Sequence, residues 1–123
     1  MKEEQFNFED LKVYQKALEF MDLVYETTLP YPVDERFNLT SQFRRAALSI
    51  SLNIAEGTGA SNKQNLHYLD IATRSLKECV VCVTASHRRQ YINDGQRTVL
   101  RSRLAEMKKM LSGLSGYLRG KSE

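Results

Sequence analysis

Between Leu100 and Leu118 the chain places Leu100, Leu104, Met107, Leu111, Leu114 and Leu118 at spacings of four, three, four, three and four. Only an α-helix gathers such positions on one side, and a seam of this period packs against helices running nearly antiparallel to it. The remaining sequence must supply those partners. It holds three more helical periods and no run of alternating apolar and polar residues of the kind a strand needs. Only two prolines and six glycines interrupt 123 residues, so long helices are permitted almost everywhere.

The first helix is predicted over about 9–29, with Leu11, Tyr14, Leu18, Met21 and Tyr25 inward and Ala17 and Val24 widening the stripe. Asn7 is its expected N-cap. Pro30 and Pro32 end it, because the residue before a proline is pushed out of helical geometry. A second helix is expected from Asp34 or Glu35 to Glu56, its inner stripe Leu39, Phe43, Ala46, Ala47, Ile50 and Ile54. Gly57 follows where a left-handed cap is wanted. Ser61-Asn62-Lys63-Gln64 opens a third helix with a capping-box pattern, and Leu66, Leu69, Ala72, Leu76, Val80 and Val83 carry it towards Tyr91. Asn93-Asp94-Gly95 breaks it, and Asp94 is the expected cap of the fourth. Short connections make successive helices antiparallel. The expected fold is therefore all-α, one domain over 1–123, an up-down-up-down four-helix bundle.

Some apolar residues overfill a single bundle. Leu48 and Leu52 stand about 100° off the inner stripe of the second helix. Ile71 does the same on the third and Phe20 on the first. Apolar side chains on two faces imply a second buried surface against another subunit, or else a wide core face.

Chemistry is harder to find. No apolar run approaches the roughly 20 residues that span a bilayer, and the acidic start MKEEQFNFED lacks a signal-peptide core, so a cytoplasmic protein away from membranes is expected. Cys79 and Cys82 form a lone C-x-x-C among Val80, Val81 and Val83, mid-helix, where packing is the expected role rather than redox chemistry or zinc. His67 and His87 lie 20 residues apart on one predicted helix, about 30 Å, and cannot share a metal. Gly57 and Gly59 lack the preceding strand and the Lys-Ser/Thr of a phosphate loop. No Glu-x-x-His pair marks a di-iron bundle. No catalytic group, metal or cofactor is expected, and the chain reads as a non-enzyme.

The densest polar cluster lies on the second helix. Gln42, Arg45, Ser49, Asn53 and Glu56 or Gly57 recur at three and four and share one face. Such a stripe can join helices or subunits by hydrogen bonds, hold a ligand or meet water. Arg44 and Arg45 carry planar donors suited to carboxylate or phosphate. As structural residues, Asn53 and Glu56 would satisfy helix ends and loop amides near Gly57.

Charge is distributed unevenly. Residues 1–30 carry three lysines against seven acids, a balance of −4, whereas 95–123 carry seven basic residues against two acids, a balance of +5. Two outcomes fit: nucleic acid drawn to the basic face, or the first and last helices side by side. Arg88, Arg89, Arg97, Arg101, Arg103, Lys108 and Lys109 are the candidate phosphate contacts. A plain solvated basic face is the alternative.

The run Leu39-Thr40-Ser41-Gln42-Phe43-Arg44-Arg45-Ala46-Ala47, then Ser49-Ile50 and Asn53-Ile54-Ala55-Glu56-Gly57, closely resembles the signature of a bacterial four-helix-bundle family. That family is named for proteins encoded in intervening sequences of 23S ribosomal RNA genes. Phe8-Glu9-Asp10-Leu11-Lys12-Val13-Tyr14 looks like its opening helix, and Tyr68-Leu69-Asp70-Ile71-Ala72 with Ser75-Leu76-Lys77-Glu78 like its third. Where the family has a glycine before that serine, this chain has Arg74. The resemblance implies a bundle assembled into a ring, a homopentamer. It also implies kinship with the accessory variability proteins of diversity-generating retroelements, which bind nucleic acid and a reverse transcriptase through a basic surface. It carries over no catalytic residue. Gln42, Arg44, Arg45, Asn53, Glu56 and Gly57 are its motif positions, expected to be structural or at an interface, and Leu48, Leu52 and Ile71 are the candidate subunit contacts.

Overall fold

In a computed structural model, residues 3–121 are described. A 3-10 turn, Asn7–Asp10, leads into α1, Lys12–Thr28. A second turn, Val33–Glu35, precedes α2, Leu39–Gly57; α3 is Asn62–Arg88 and α4 is Asp94–Arg119. No strand occurs among the described residues. Each helix packs on its sequence neighbours, and α4 returns beside α1 to close an antiparallel four-helix bundle; α2 and α3 share the broadest interface.

The inner faces of α2 and α4 lie where their periods put them. Phe43, Ala46, Ala47, Ile50 and Ile54 are buried on α2, as are Leu100, Leu104, Met107, Leu111 and Leu118 on α4, while Leu39 and Leu114 of the same stripes are half-buried against the core. On α1 the face is turned. Val13, Ala17, Phe20 and Val24 form its buried line, while Leu11, Tyr14, Leu18 and Met21 are only half-buried and Tyr25 is exposed. Apolar residues cover so wide an arc of α1 that its period admits two centres. Alanine and valine let α2 and α4 come close, and the tyrosines keep their hydroxyls near water. Phe20 is therefore core, not surplus. Leu48 and Leu52, by contrast, are 37% and 58% exposed, and Ile71 is half-buried.

Helix ends differ from expectation for local reasons. Asn7 does not cap α1. The Glu9 carboxylate accepts from the Phe6 N–H at 2.8 Å, closing the preceding 3-10 turn, and Leu11 in extended geometry becomes the N-cap. Pro32 sets up the second 3-10 turn, so α2 starts at Leu39, four or five residues later than expected. Ser61 caps α3 as its sequence suggests, accepting from the Gln64 N–H at 3.2 Å. The cap of α4 is Asn93, not Asp94: Asn93 accepts from the Gln96 N–H at 2.8 Å, and the Gln96 side chain accepts the Asn93 N–H at 2.9 Å.

Gly57 also departs from expectation. It is the last residue of α2, followed by Thr58 in extended geometry, and the left-handed glycine of this loop is Gly59, at φ 89°. What Gly57 provides is room. A Cβ there would lie 2.7 Å from Asn65 Oδ1, 3.0 Å from Tyr68 Cβ and 3.2 Å from Asn65 Cα, all on α3.

Cys79 and Cys82 are buried and unbridged in the interior face of α3. Burial pushes both thiols up, Cys82 to about 11, so neither presents a thiolate near neutral pH.

Candidate nucleic-acid interface

The basic stretch begins where α3 turns into α4. Gln90 takes left-handed geometry at φ 63°, and the Tyr91 N–H donates to the Ser86 carbonyl at 2.9 Å. His87 Nε2 lies 2.7 Å from Asp94 Oδ1 and ties the last turn of α3 to the first of α4. The arginines on either side of this turn are thus held by a fixed connection.

On α4, Arg97, Arg101 and Lys108 are exposed and share the flank that faces α3; Arg101 and Lys108 line a shallow cleft with Leu76 and Val80. Arg88 joins this surface by spacing, since Val80, Thr84 and Arg88 follow one another at four residues. No carboxylate lies within ion-pair distance of these four basic groups among the described residues. Lys109 projects from the outer side of α4 and is exposed.

Two of the seven candidates leave the surface. Arg103 lies on the opposite flank of α4, with Nη1 3.8 Å from Glu19 Oε1 of α1. Nearby, Lys16 Nζ is 3.7 Å from Glu106 Oε1. The acidic first helix and basic last helix do lie side by side, though such half-exposed pairs contribute under about 1 kcal/mol each. Arg89 turns the other way, towards α2. There the Tyr91 hydroxyl donates to Glu35 Oε2 at 2.8 Å. That bond holds the Glu35 carboxyl below the usual carboxylate range, helped by the Leu39 N–H, the Asn38 amide and the Arg89 charge. A carboxyl lowered on folding adds stability above its ordinary range and loses it as pH falls. Glu35 and Arg89 flank an open groove of about 640 Å³ floored by Leu39, Val81, Cys82 and Ala85.

The motif residues of α2 do several different jobs. Ser49 and Asn53 form an inter-helix link: the Asn53 amide donates to the Ser49 carbonyl at 2.8 Å and to Ser49 Oγ at 3.0 Å, and Ser75 Oγ of α3 donates to Ser49 Oγ at 2.8 Å. Asn53 therefore does not serve the loop amides after Gly57. Ser75 is buried in this contact while Arg74 turns outward to Asp70 Oδ2 at 3.0 Å, so the arginine side chain does not enter the helix contact that Ser75 makes. Gln42, Arg45 and Glu56 are exposed. Arg44 reaches back to α1, its Nε donating to Thr28 Oγ1 at 2.8 Å.

Sequence patterns gave no sign that Arg36, Tyr25 and Thr28 would gather around Arg44 and Arg45. They come from the turn and from α1, and only the angle between α1 and α2 unites them. Among the described residues no three histidine, cysteine or acidic side chains are grouped to hold a metal, and no helix is long and apolar enough to cross a membrane.

Residues 9–113 match the family described as 23S rRNA-intervening sequence protein. A solved structure from Bacteroides thetaiotaomicron VPI-5482, described as a protein of unknown function from the S23 ribosomal protein family, is similar in fold. Its TM-score is 0.75 at 24% identity, over 84% of this chain and 97% of that one. No curated protein matches the sequence.

Proposed function

Because this chain belongs to the family of 23S rRNA-intervening sequence proteins, we propose that it is a non-catalytic, self-associating protein that holds RNA or DNA by its phosphates. The observation behind this is the exposed row Arg97, Arg101 and Lys108, extended by Arg88, which has no acidic partner among the described residues. Such a row gives sequence-independent, salt-sensitive binding. Reversing Arg97, Arg101 and Lys108 to glutamate is expected to abolish binding of a short structured RNA at low salt. Each phosphate contact removed lowers the slope of log affinity against log salt by about 0.7–0.9. Fluorescence anisotropy across a salt series reads both effects. Unchanged affinity would remove this surface from the account.

Self-association is supported by Leu48 and Leu52 of α2, 37% and 58% exposed, and by Ile71 of α3, which is half-buried. Covering these residues with another subunit would remove apolar surface from water at roughly 25 cal/mol per Å². A ring of five is the number the family resemblance suggests. Leu52→Glu is expected to reduce the mass seen by light scattering towards the 14.2 kDa of one chain. The same apolar residues favour a second reading, an adaptor ring that holds another protein, such as a reverse transcriptase, and makes no nucleic-acid contact. Recovery of a stoichiometric protein partner by the Arg97, Arg101 and Lys108 variant, with no RNA dependence, would favour it.

A further inference from the structure

We propose that the pocket between the end of α1 and the start of α2 binds a phosphate monoester, carried by a free nucleotide or by the 5′ end of an RNA strand. It lies on the α1–α2 flank, across the bundle from the α3–α4 surface, and so goes beyond the reading above.

Three arginines, Arg36, Arg44 and Arg45, are among the residues that line this space of about 260 Å³. No carboxylate is within ion-pair distance of any of them among the described residues. Like charges gathered without a counter-charge repel, and an anion relieves that repulsion.

Arg44 is oriented before any ligand arrives. Its Nε donates to Thr28 Oγ1 at 2.8 Å, its Nη2 to the Tyr25 carbonyl at 3.4 Å, and its central carbon sits 4.6 Å from the Tyr25 ring centroid. Thr28 is buried and its hydroxyl donates in turn to the Val24 carbonyl at 2.8 Å, so the anchor is itself fixed. Closing the carbonyl end of α1 accounts for one arm of Arg44. It does not account for Arg36 or Arg45, which are exposed and share the same space.

The wall of the pocket adds Thr40, in the first turn of α2, where the helix end carries partial positive charge. Tyr25 and Leu48 make the apolar side. The volume is below the roughly 300–1,000 Å³ of drug-sized sites, which suits one anionic group and its first attachment. A single carboxylate is filled by one guanidinium fork, whereas the charge of three arginines and the donors that Arg44 has left beyond Thr28 and Tyr25 match the several oxygens and double charge of a phosphate monoester.

The test titrates the isotope-labelled full chain with inorganic phosphate, uridine 5′-monophosphate, and one short RNA strand with a 5′-phosphate or a 5′-hydroxyl. Arginine Nε–H resonances are followed by NMR. Saturable shifts of the Arg44 signal are expected with the phosphate ligands. Removing two charge-assisted contacts with Arg36→Ala and Arg45→Ala together should weaken binding at least about tenfold. Both positions are exposed, and circular dichroism confirms that the variant is folded. A preference for the 5′-phosphorylated strand, lost in that variant, assigns the site to RNA ends. Nucleotide binding with no strand preference assigns it to free nucleotides. No saturable shift, or the same affinity in the double variant, overturns the proposal. So does a fall in oligomer mass in that variant without any phosphate response, which would mean that a partner subunit's carboxylate fills the pocket. The Arg97, Arg101 and Lys108 variant should keep the phosphate response, so the two surfaces stand or fall separately.

Discussion

Phe20→Ala is expected to lower the unfolding free energy by about 3–5 kcal/mol, the cost of removing a buried ring and leaving the space it filled. Phe20 is fully buried, in the core cluster with Ala17 and Val24 of its own helix and the inner residues of the other three. The surrounding helices cannot collapse onto the vacancy without moving whole elements, which keeps the cavity term large. Domains of this kind have only about 5–15 kcal/mol to lose, so this one change threatens the fold. Urea unfolding at fixed protein concentration is the measurement, since self-association would make the midpoint depend on concentration. The wild-type slope with a lower midpoint is expected. A loss under about 1 kcal/mol would mean that Phe20 lies on the face where the helical period alone puts it, outside the core.

That prediction sits where sequence and structure part. On α4 the six-residue seam has a single centre, so Leu100, Leu104, Met107, Leu111 and Leu118 could be placed from spacing alone and are buried, with Leu114 half-buried against the core. On α1 apolar residues cover more than half of the circumference, and only the positions of α2 and α4 decide between the line through Phe20 and the line through Tyr25. The same limit applies to the basic surface. Arg97, Arg101 and Arg103 are close in sequence, but two residues along a helix turn a side chain by roughly 200°. Arg103 accordingly meets Glu19 on α1 while Arg101 borders α3. Arg89 is separated from its neighbour Arg88 by about 100° of the same rotation. The pocket of Arg36, Arg44 and Arg45 is further still from what a pattern can show. Its third arginine comes from the turn before α2, its stacking ring from α1, and its anchor is the Thr28 hydroxyl at the end of α1. Motif similarity marked Arg44 and Arg45 as notable, but gave them no neighbours.

Gly57→Val is the other large expected effect, and it distinguishes two reasons for a glycine at one position. In a left-handed cap, asparagine would be the best-tolerated replacement and valine among the worst. At a close helix contact the order depends on bulk. Gly57 ends α2 in ordinary helical continuity, and any Cβ meets Asn65 and Tyr68 of α3 at 2.7–3.2 Å. Alanine gains about 0.5–1 kcal/mol of backbone preference over glycine in a helix, and that gain offsets part of the crowding. Valine adds two further methyl groups where no space exists, and asparagine adds a polar branch at the same place. Both should cost about 1–3 kcal/mol or more, with alanine clearly milder. The contact to Asn65 Oδ1 can be relieved by a side-chain movement, but those to Tyr68 Cβ and Asn65 Cα require α3 itself to shift. Combining Gly57→Ala with Asn65→Ala should therefore recover some stability, whereas Gly57→Val with Asn65→Ala should recover little. Thermal melts of these variants measure the order directly. If asparagine proves milder than alanine, the loop after α2 has the geometry of a left-handed cap at Gly57. If alanine is mildest, this glycine exists because α2 and α3, the most closely joined pair in the bundle, meet there nearly backbone to side-chain root.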